Sequence, residues 1–374
     1  MFELKKQSSA SKARRGALST SHGELQTPFF MTIATKGAVK SLDVSDLKRN
    51  RVPIILSNTY HLLVRPGLEA MRRRGGLHKF MGWDGPMLTD SGGYQVFSLG
   101  KMRKITEESV TFRSHIDGAI VELSPEQSIE MQQAIGSDIM MQMDVVLAPD
   151  VPRIIARDAM EQSIRWAKRC KDYLNSNRKQ SMTKDQKLFG IVQGGIHEDL
   201  REMSVRGLTE LELDGYAIGG LSVGENPEDN LRVAAYTADL MPNDKVRYFM
   251  GGGKPEEIVA YVKMGIDMFD CVIPTRHARH GSLFVWGGEV TPELLNTPDF
   301  YKKIIIQNAE FEDSDEPVDS NCDCTLCTNH SKAYIHHLFD MKEPLAERLA
   351  TEHNVRFYMK LMETIREGVE NDAI

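Results

Sequence analysis

The sequence predicts an α/β fold, a (β/α)8 TIM barrel with an inserted β-hairpin and a cysteine-rich C-terminal subdomain. Three observations predict it. Eight short apolar runs alternate with helical patterns, an Asp-Gly turn separates two strand-like runs, and three cysteines lie within six residues near the C-terminal end. Strands that alternate with helices form a parallel sheet, and eight such units in 374 residues favour a sheet that closes into a barrel.

The eight predicted strands are short runs rich in β-branched, aromatic or methionine residues, and most are followed by a helical pattern. In chain order they are 28–35 (PFFMTIAT), 53–60 (PIILSNTY), 86–90 (PMLTD), 138–146 (DIMMQMDVV), 188–193 (LFGIVQ), 215–221 (GYAIGGL), 246–253 (VRYFMGGG) and 268–275 (MFDCVIPT). The intervening helices carry start signals. Ser124 and Pro125 open one helix, and Pro255 with Glu256 and Glu257 opens another.

Two segments depart from a plain barrel. Asp117 and Gly118 separate two alternating runs after the third strand, which predicts a hairpin inserted before the next helix. After the eighth strand no helix is predicted at once, and the chain crosses an acidic stretch and the cysteines instead. A late amphipathic helix then completes the outer ring of the barrel, and its apolar face comprises Val355, Tyr358, Leu361, Met362, Ile365 and Val369.

The cysteine segment predicts a metal site. Cys322, Cys324 and Cys327 supply three soft thiolates, and zinc would complete a tetrahedral shell on them with one imidazole. The candidate histidines are His330, His336, His337 and His353. His353 is favoured because a metal that joins it to Cys327 offsets the closure entropy of a long loop. A filled Cys3His shell has no open position, so we expect one structural zinc per chain.

These features divide the chain into two expected units. Residues 1–290 form the catalytic TIM-barrel domain, and residues 291–374 form the zinc-binding subdomain with the closing helix of the barrel. The opening residues lack the apolar block of a secretory signal, the apolar runs are too short to span a membrane, and the few cysteines suit a reducing compartment. We therefore expect a cytoplasmic protein with no membrane contact.

The charge of the chain restricts its partners. The net charge is −7, from 46 Lys and Arg against 53 Asp and Glu, which argues against a protein that coats nucleic acid indiscriminately. Local basic patches are compatible with this total, and the candidates are 72–74, 165–171 and the pair Arg276 and Arg279. Each run taken alone is more typical of a solvated helix face.

Polar residues follow several of the predicted strands. In a parallel barrel the carboxyl ends of the strands meet at one mouth, where chemistry gathers. The residues there are Asn58, Asp90, Asp144, Gln193, Gly219, Gly220, Gly251, Gly252, Gly253 and Asp270. A single aspartate at a strand end is most often an ion-paired structural residue. Three aspartates, with an amide and glycines that let a ligand approach the backbone, instead predict a binding site.

This set of side chains suits a purine base. A carboxylate offers two acceptors to the adjacent N–H donors of guanine, while Gln193 and a glycine amide can donate to its carbonyl oxygen. Tyr94 and Met250 would stack on the ring, although each alone is more typical of packing. The two remaining carboxylates suggest glycosidic chemistry, in which one attacks an anomeric carbon and the other transfers a proton to the leaving base.

Seven segments together resemble the tRNA-guanine transglycosylases, over a span from the first barrel strand to the last helix. They are 88–99 (LTDSGGYQVFSL), 189–195 (FGIVQGG), 217–225 (AIGGLSVGE), 268–281 (MFDCVIPTRHARHG), 322–327 (CDCTLC), 331–338 (SKAYIHHL) and 351–354 (TEHN). Members of that family are (β/α)8 barrels with an inserted zinc subdomain, and they replace guanine at the wobble position of queuosine-type tRNAs with a 7-deazaguanine. The resemblance implies a tRNA anticodon loop and a 7-deazaguanine base as partners, a homodimer, and no redox or nucleotide cofactor.

The resemblance also implies roles for single residues. Asp270 would be the nucleophile that bonds to ribose, and Asp90 would be the general acid and base. Base recognition would fall to Asp144, Gln193, Gly220 and Leu221, with Tyr94 and Met250 stacking on the base and with Ser91 and Asn58 orienting the catalytic carboxylates. Arg276 and Arg279 would contact neighbouring anticodon-loop nucleotides, and the zinc ligands would be Cys322, Cys324, Cys327 and His353.

Two positions bear on the incoming base and point in opposite directions. Val146, two residues after Asp144, resembles family members that insert queuine, whereas Val223 resembles the bacterial members. We expect 7-aminomethyl-7-deazaguanine as the incoming base, because Val223 would clash with a bulkier 7-substituent. Queuine is the alternative.

Two more remote alternatives belong to other classes of protein. A zinc-dependent TIM-barrel hydrolase would need histidine ligands at the strand ends and an open zinc position, whereas the strand ends here carry Asp, Gln and Gly. A non-catalytic tRNA-binding partner subunit of the same fold would be expected to lack Asp90 or Asp270, and both are present.

Overall fold

The structure of the protein is a computed structural model that describes residues 1–94, 104–148, 151–222 and 224–374. The strands are β1 (Phe2–Gln7), β2 (Arg14–Thr20), β3 (Gly23–Thr27), β4 (Phe29–Ile33), β5 (Ile55–Ser57), β6 (Met87–Thr89), β7 (Lys104–Ile105), β8 (Val110–Arg113), β9 (Ile120–Leu123), β10 (Ile139–Met141), β11 (Lys187–Val192), β12 (Gly215–Ile218), β13 (Val246–Phe249), β14 (Met268–Cys271), β15 (Ser282–Trp286) and β16 (Tyr301–Ile305).

Helices follow most of the barrel strands. They are α1 (Val44–Arg49), α2 (Thr59–Val64), α3 (Leu68–Arg74), α4 (Gly76–Met81), α5 (Pro125–Ile135), α6 (Arg153–Asn177), α7 (Glu198–Thr209), α8 (Pro227–Leu240), α9 (Pro255–Lys263), α10 (Ile273–Ala278), α11 (Thr325–Asn329), α12 (Lys332–Asp340) and α13 (Pro344–Glu370), with short 3-10 turns at Arg178–Gln180, Leu294–Asn296 and Ala309–Phe311. Over the described ranges, none of these helices is both long enough and apolar enough to cross a bilayer.

The predicted barrel is confirmed, because each of the eight predicted runs overlaps one strand of a single closed parallel barrel. Its order is β4, β5, β6, β10, β11, β12, β13 and β14, and β14 pairs with β4 to close the ring. Alternate residues fill the interior, as on β4, where Phe29, Met31 and Ile33 face the inner core and Phe30 faces the helices. The parallel direction of the strands brings the residues at their carboxyl ends to one mouth.

A three-stranded antiparallel sheet, β1 to β3, lies at the opposite end of the barrel and was not predicted. Leu18 and Leu25 of this sheet are almost fully buried in the same core as the inward side chains of the barrel. The sheet therefore closes the end of the barrel away from the mouth.

The predicted hairpin is confirmed and has a third strand. β8 and β9 pair in antiparallel register, and β7 pairs with β8 on the other side. The turn between β8 and β9 contains Asp117 and Gly118, and Gly118 has a φ of 74°, which favours glycine.

The expectation that no helix follows the eighth strand at once is wrong, because α10 begins two residues after β14. Pro274 stands in its first turn, where the missing N–H costs nothing. Only six residues long, this helix is too short for a periodic apolar pattern to reveal it in the sequence. The chain then forms the antiparallel pair β15 and β16 before it reaches the cysteines.

The last helix, α13, completes the ring as predicted, and all six residues of its predicted apolar face are buried. The Tyr358 ring packs against that of Phe30 on β4, with centroids 4.8 Å apart, and the Tyr358 hydroxyl donates to the Gly253 carbonyl at 2.7 Å. This face of α13 therefore packs on the outside of the barrel.

Asn354, also on α13, is hydrogen-bonded to the segment that follows β14. Its side chain accepts from the Phe284 N–H and donates to the carbonyls of Pro274 and Ser282. The same helix thus holds both the barrel and the chain that leads to the cysteines.

Candidate active site

A cavity of about 430 Å³ opens at the carboxyl ends of the barrel strands, within the size range of small-molecule sites. Nine of the residues predicted for catalysis or base binding line it, namely Asn58, Asp90, Ser91, Tyr94, Asp144, Gly220, Leu221, Met250 and Asp270. Gln193 reaches the same group through a hydrogen bond from its Nε2 to Asp144 Oδ2, at 2.6 Å. The structure thus brings the strand-end side chains together.

Asp90, directly after β6, is a buried carboxylate held by the first turn of α2. Asn58 donates from Nδ2 to Oδ2 at 2.5 Å, and the backbone N–H of Thr59 donates to Oδ1 at 2.8 Å. The Thr59 hydroxyl also donates to the Asp90 carbonyl at 2.5 Å. Asn58 therefore contacts Asp90, one of the carboxylates it is predicted to orient, and Thr59 holds the same carboxylate although no sequence motif indicated it.

Asp270, on β14, receives two hydrogen bonds on one of its carboxylate oxygens. Tyr248 donates its hydroxyl to Oδ1 at 2.5 Å, and the Gly251 N–H donates to the same oxygen at 2.9 Å. Burial raises the pKa of Asp270, while these two hydrogen bonds oppose the rise. Burial, and then the charge of Asp270, raises the pKa of Tyr248 well above its usual range, so this hydroxyl stays a donor.

Tyr248 was not predicted, although the sequence contained a signal for it. It occupies an inward position of β13, two residues before Met250, and its side chain lies in the inner core. A tyrosine inside a barrel layer needs a partner for its hydroxyl, and an acidic residue at the end of the next strand supplies one.

Asp144, after β10, is buried and hydrogen-bonded on the cavity wall. Burial raises its pKa to about 6, and the hydrogen bonds from Gln193 and Ser91 only partly offset the rise. The Ser91 hydroxyl thus donates a hydrogen bond to the Asp144 carboxylate. Gly220 lies beside Gln193 with a φ of 65°, and a Cβ there would stand closer to Gln193 Oε1 than van der Waals contact allows, so the position favours glycine.

Asp144→Asn is expected to raise the free energy of unfolding at neutral pH. A pKa raised from 3.8 to about 6 means that the folded protein holds the proton more tightly than the unfolded chain, so ionisation costs about 3 kcal/mol. The variant should gain up to that amount at pH 8, with the gain shrinking below about pH 6 and absent below about pH 4. Denaturant unfolding from pH 4 to 8 measures it, and a gain that does not change with pH would contradict the assignment.

The two residues predicted to stack on the base lie at the cavity, whereas the two arginines predicted to bind RNA lie outside it. Tyr94 is 51% exposed at the cavity edge, and Met250 is half-buried on its wall. Arg276 is exposed on α10, whereas Arg279 folds back to donate to the Thr275 carbonyl at 2.8 Å. Both arginines follow Asp270 closely in the chain and lie outside the residues that line the cavity.

The other basic runs behave as solvated helix faces. Arg165 pairs with Glu107 and Lys168 with Asp172, both on the surface. In the run 72–74, Arg72 pairs with Glu130. Ion pairs near the surface contribute little to stability, and these pairs neutralise part of the positive charge of each run.

The four predicted metal ligands lie in one group. The ligand atoms of Cys322, Cys324, Cys327 and His353 are all within 4.8 Å of one another, and in tetrahedral zinc the sulfur atoms stand about 3.8 Å apart. His353 Nδ1 lies 3.2 Å from Cys327 Sγ, and its Nε2 donates to the Phe284 carbonyl at 2.7 Å. The second contact leaves the Nδ1 lone pair facing the thiolates, as a metal ligand requires. The donor set and tautomer therefore fit zinc.

The other candidate histidines are engaged elsewhere or face solvent. His336 contacts the Ile306 carbonyl through Nδ1 and Asp340 through Nε2. His330 stacks on Tyr334, with ring centroids 4.7 Å apart, and His337 is exposed on α12.

A second group of metal-ligand types, His22, His78 and Asp138, lies at the far end of the barrel. Asp138 already accepts from the ring of His22 and from the Met87 N–H, and His78 Nε2 faces the Gly85 carbonyl at 3.0 Å. The polar atoms of this group are thus hydrogen-bonded within the fold. The contact between His22 and Asp138 attaches the β2–β3 turn to the barrel.

A parallel barrel with three aspartates and an amide around one cavity at its mouth is the arrangement typical of a TIM-barrel enzyme. The sequence model of the queuine tRNA-ribosyltransferase family matches residues 8–374. Among proteins of that name, one from Vibrio cholerae serotype O1 is 48% identical over 371 residues, which are 99% of this chain and 92% of the relative. One from Psychrobacter sp. is 49% identical over 362 residues, which are 97% of this chain and 91% of the relative.

The chain belongs to the queuine tRNA-ribosyltransferase family, and it is a pentosyltransferase. The resemblance inferred from the motifs is thereby confirmed. Membership in this family gives no support to the zinc-dependent hydrolase or to the non-catalytic subunit.

Proposed function

We propose that this enzyme exchanges guanine at the wobble position of queuosine-type tRNAs for 7-aminomethyl-7-deazaguanine through a covalent bond between Asp270 and ribose. The observation that carries the proposal is that Asp90, Asp144 and Asp270 all line one cavity. One carboxylate can then read the base while the other two act on its bond to the sugar.

Base recognition falls to Asp144, Gln193 and Gly220 in this proposal. The Asp144 carboxylate accepts from the two adjacent N–H donors of guanine, and the Gln193 amide and the Gly220 N–H donate to its carbonyl oxygen. Leu221 lies near the 7-substituent, while Tyr94 and Met250 stack on the ring. The contact between Gln193 and Asp144 supports this division of roles, since it aligns the two side chains along one edge.

The chemical step uses Asp270 as the nucleophile and Asp90 as the proton carrier. Tyr248 and Gly251 hold Asp270 by Oδ1, which leaves Oδ2 to attack the anomeric carbon of the ribose. As the bond to guanine breaks, Asp90 gives its proton to the departing base. The incoming base then loses its own proton to Asp90 and attacks the same carbon, which releases Asp270.

The RNA partner is a tRNA anticodon loop in this proposal. A base in a single-stranded loop enters the cavity without melting a helix. Arg276, exposed on the helix after Asp270, is available to neighbouring nucleotides, and Arg279 would have to leave the Thr275 carbonyl to join it. The covalent bond keeps the ribose in place while the bases exchange. We also propose a homodimer, in line with the expectation from the resemblance.

Zinc on Cys322, Cys324, Cys327 and His353 has a structural role in this proposal. When bound, it would supply a cross-link between the cysteine segment and α13. Residues 291–374 then form the zinc-binding subdomain with the closing helix, beside the catalytic domain of residues 1–290.

The choice of incoming base is tested by side-by-side incorporation of 7-aminomethyl-7-deazaguanine and queuine into tRNA, with wild type and Val223→Gly. Val146 is buried on the cavity wall, and Val223 lies outside the described residues. We expect wild type to prefer the smaller base by at least about tenfold and the variant to gain activity on queuine, because one or two methyl-sized clashes discriminate by that order. Equal use of both bases by wild type would contradict the expected clash at Val223, and a preference for queuine would favour the alternative.

A further inference from the structure

Arg201, on α7, is a fully buried arginine behind the base-reading edge of the cavity, with 0% of its surface exposed. Its Nη2 is buried without a hydrogen-bond partner among the described residues. Burial lowers the pKa of Arg201 to about 9, and the charge of Glu225 only partly opposes that fall, so the group is still charged at neutral pH. A guanidinium buried this deeply is costly and calls for a specific use.

The guanidinium binds three backbone carbonyls at the ends of two neighbouring barrel strands. Nη1 donates to the carbonyls of Val192 and Gly219, both at 2.8 Å, and Nε donates to the carbonyl of Gly195 at 2.9 Å. Val192 directly precedes Gln193, and Gly219 directly precedes Gly220. Arg201 therefore joins the two backbone segments that carry the predicted base-reading amide and N–H.

Those two segments are in tight contact with each other. A Cβ at Gly220 would stand closer to Gln193 Oε1 than van der Waals contact allows, so the Gly220 backbone and the Gln193 amide lie side by side. The backbone N–H of Gln193 also donates to the hydroxyl of Ser204, which lies three residues after Arg201 on α7, at 3.1 Å. Two residues of α7, Arg201 and Ser204, thus hold the end of β11 in place.

We propose that Arg201 is a positioning residue for base recognition, which holds the Gln193 amide and the Gly220 N–H at the spacing that one base carbonyl requires. The planar guanidinium suits this role, because its donors diverge in a fixed fork toward three acceptors. A lysine has a single donor nitrogen, whereas Arg201 uses two nitrogen atoms, Nε and Nη1, to bind the three carbonyls. The inference rests on the proposed function and adds a residue that does not touch the base.

The test uses the full-length, zinc-loaded protein as wild type, Arg201→Met and Arg201→Lys. Arg206→Met is the matched control, since Arg206 lies on the same helix with its side chain 84% exposed. The measurements are the Kd for free 7-aminomethyl-7-deazaguanine and, with tRNA, kcat and the KM for the base. We expect Arg201→Met to weaken base binding between about tenfold and a hundredfold and to raise the KM for the base, with Arg201→Lys intermediate and the control unchanged.

A purely structural role predicts a different result, in which Arg201→Met lowers the folded fraction and kcat but leaves the Kd and KM of the folded protein as in wild type. That result would overturn the inference. Should Arg201→Met fail to fold, Arg201→Lys and Ser204→Ala carry the test, and unchanged base affinity in both would also overturn it. If the wild type itself fails to bind the base, the proposed function is contradicted. This result differs from both of the results that would overturn the role of Arg201.

Discussion

Asp270→Ala is expected to lower the exchange of labelled guanine into tRNA by at least about 10⁴-fold and to abolish any protein–RNA adduct that survives denaturation. Asp270 is the carboxylate whose Oδ1 is held by Tyr248 and Gly251, and in the proposed reaction its other oxygen forms the bond to ribose. Without it the sugar has no covalent partner while the bases exchange. Radiolabel incorporation and a denaturing gel measure the two effects.

The controls separate loss of the nucleophile from loss of the fold. Asp270→Asn keeps the shape of the side chain and should be as inactive as the alanine variant. Asp244→Asn alters an exposed aspartate that does not line the cavity, and this variant should be fully active. Full exchange by Asp270→Ala would falsify the nucleophile assignment.

Removal of the metal, by chelation or by Cys322→Ala, is expected to lower the free energy of unfolding by about 3 kcal/mol or more and to weaken tRNA binding. Without the metal, the cysteine segment depends on contacts to α13 such as Asp323 with Arg356, at 2.5 Å, and Thr325 with Glu352, at 2.6 Å. The rate of adduct formation at saturating tRNA should change little, because the predicted metal ligands lie outside the residues that line the catalytic cavity. Thermal unfolding, metal content and single-turnover rates give the readouts.

His353→Ala and His330→Ala form a matched pair for this prediction. Both remove one imidazole from the same region, but of the two only His353 belongs to the group with the three cysteines. The first variant should lose its metal and the second should keep it. A metal-free protein that stays folded and binds tRNA normally would contradict the structural role.

The barrel strands could be predicted because each is a short apolar run that ends in polar residues. The carboxyl ends of parallel strands share one mouth, so Asp90, Asp144 and Asp270 could be grouped from their places in the chain alone. The sheet β1 to β3 could not be predicted, because β1 and β3 leave many polar side chains exposed, and β2 buries an arginine and small residues beside Leu18 rather than a run of large apolar side chains. Its pattern lacks the continuous apolar runs of the barrel.

The supporting contacts of the site were harder to predict than its acidic residues. Tyr248 and Asp270 are 22 residues apart, and Thr59 and Asp90 are 31 apart, so only the folded chain brings each pair together. Arg201 would pass for one more polar residue on a surface helix until its burial is known. Residues such as these satisfy backbone or carboxylate groups, and nothing in their local sequence reveals which groups those are.

The contacts of Asn354 determine where the chain can be truncated. The side-chain amide of Asn354 donates hydrogen bonds to the carbonyls of Pro274 and Ser282, which lie before residue 290. The adjacent residue, His353, faces the cysteines, which lie after residue 290. A truncation at residue 290 would uncover Phe30 and remove the side-chain partners of the stretch that follows Asp270. The two units that look separable along the chain are therefore interlocked, and we expect neither to be stable as a separate fragment.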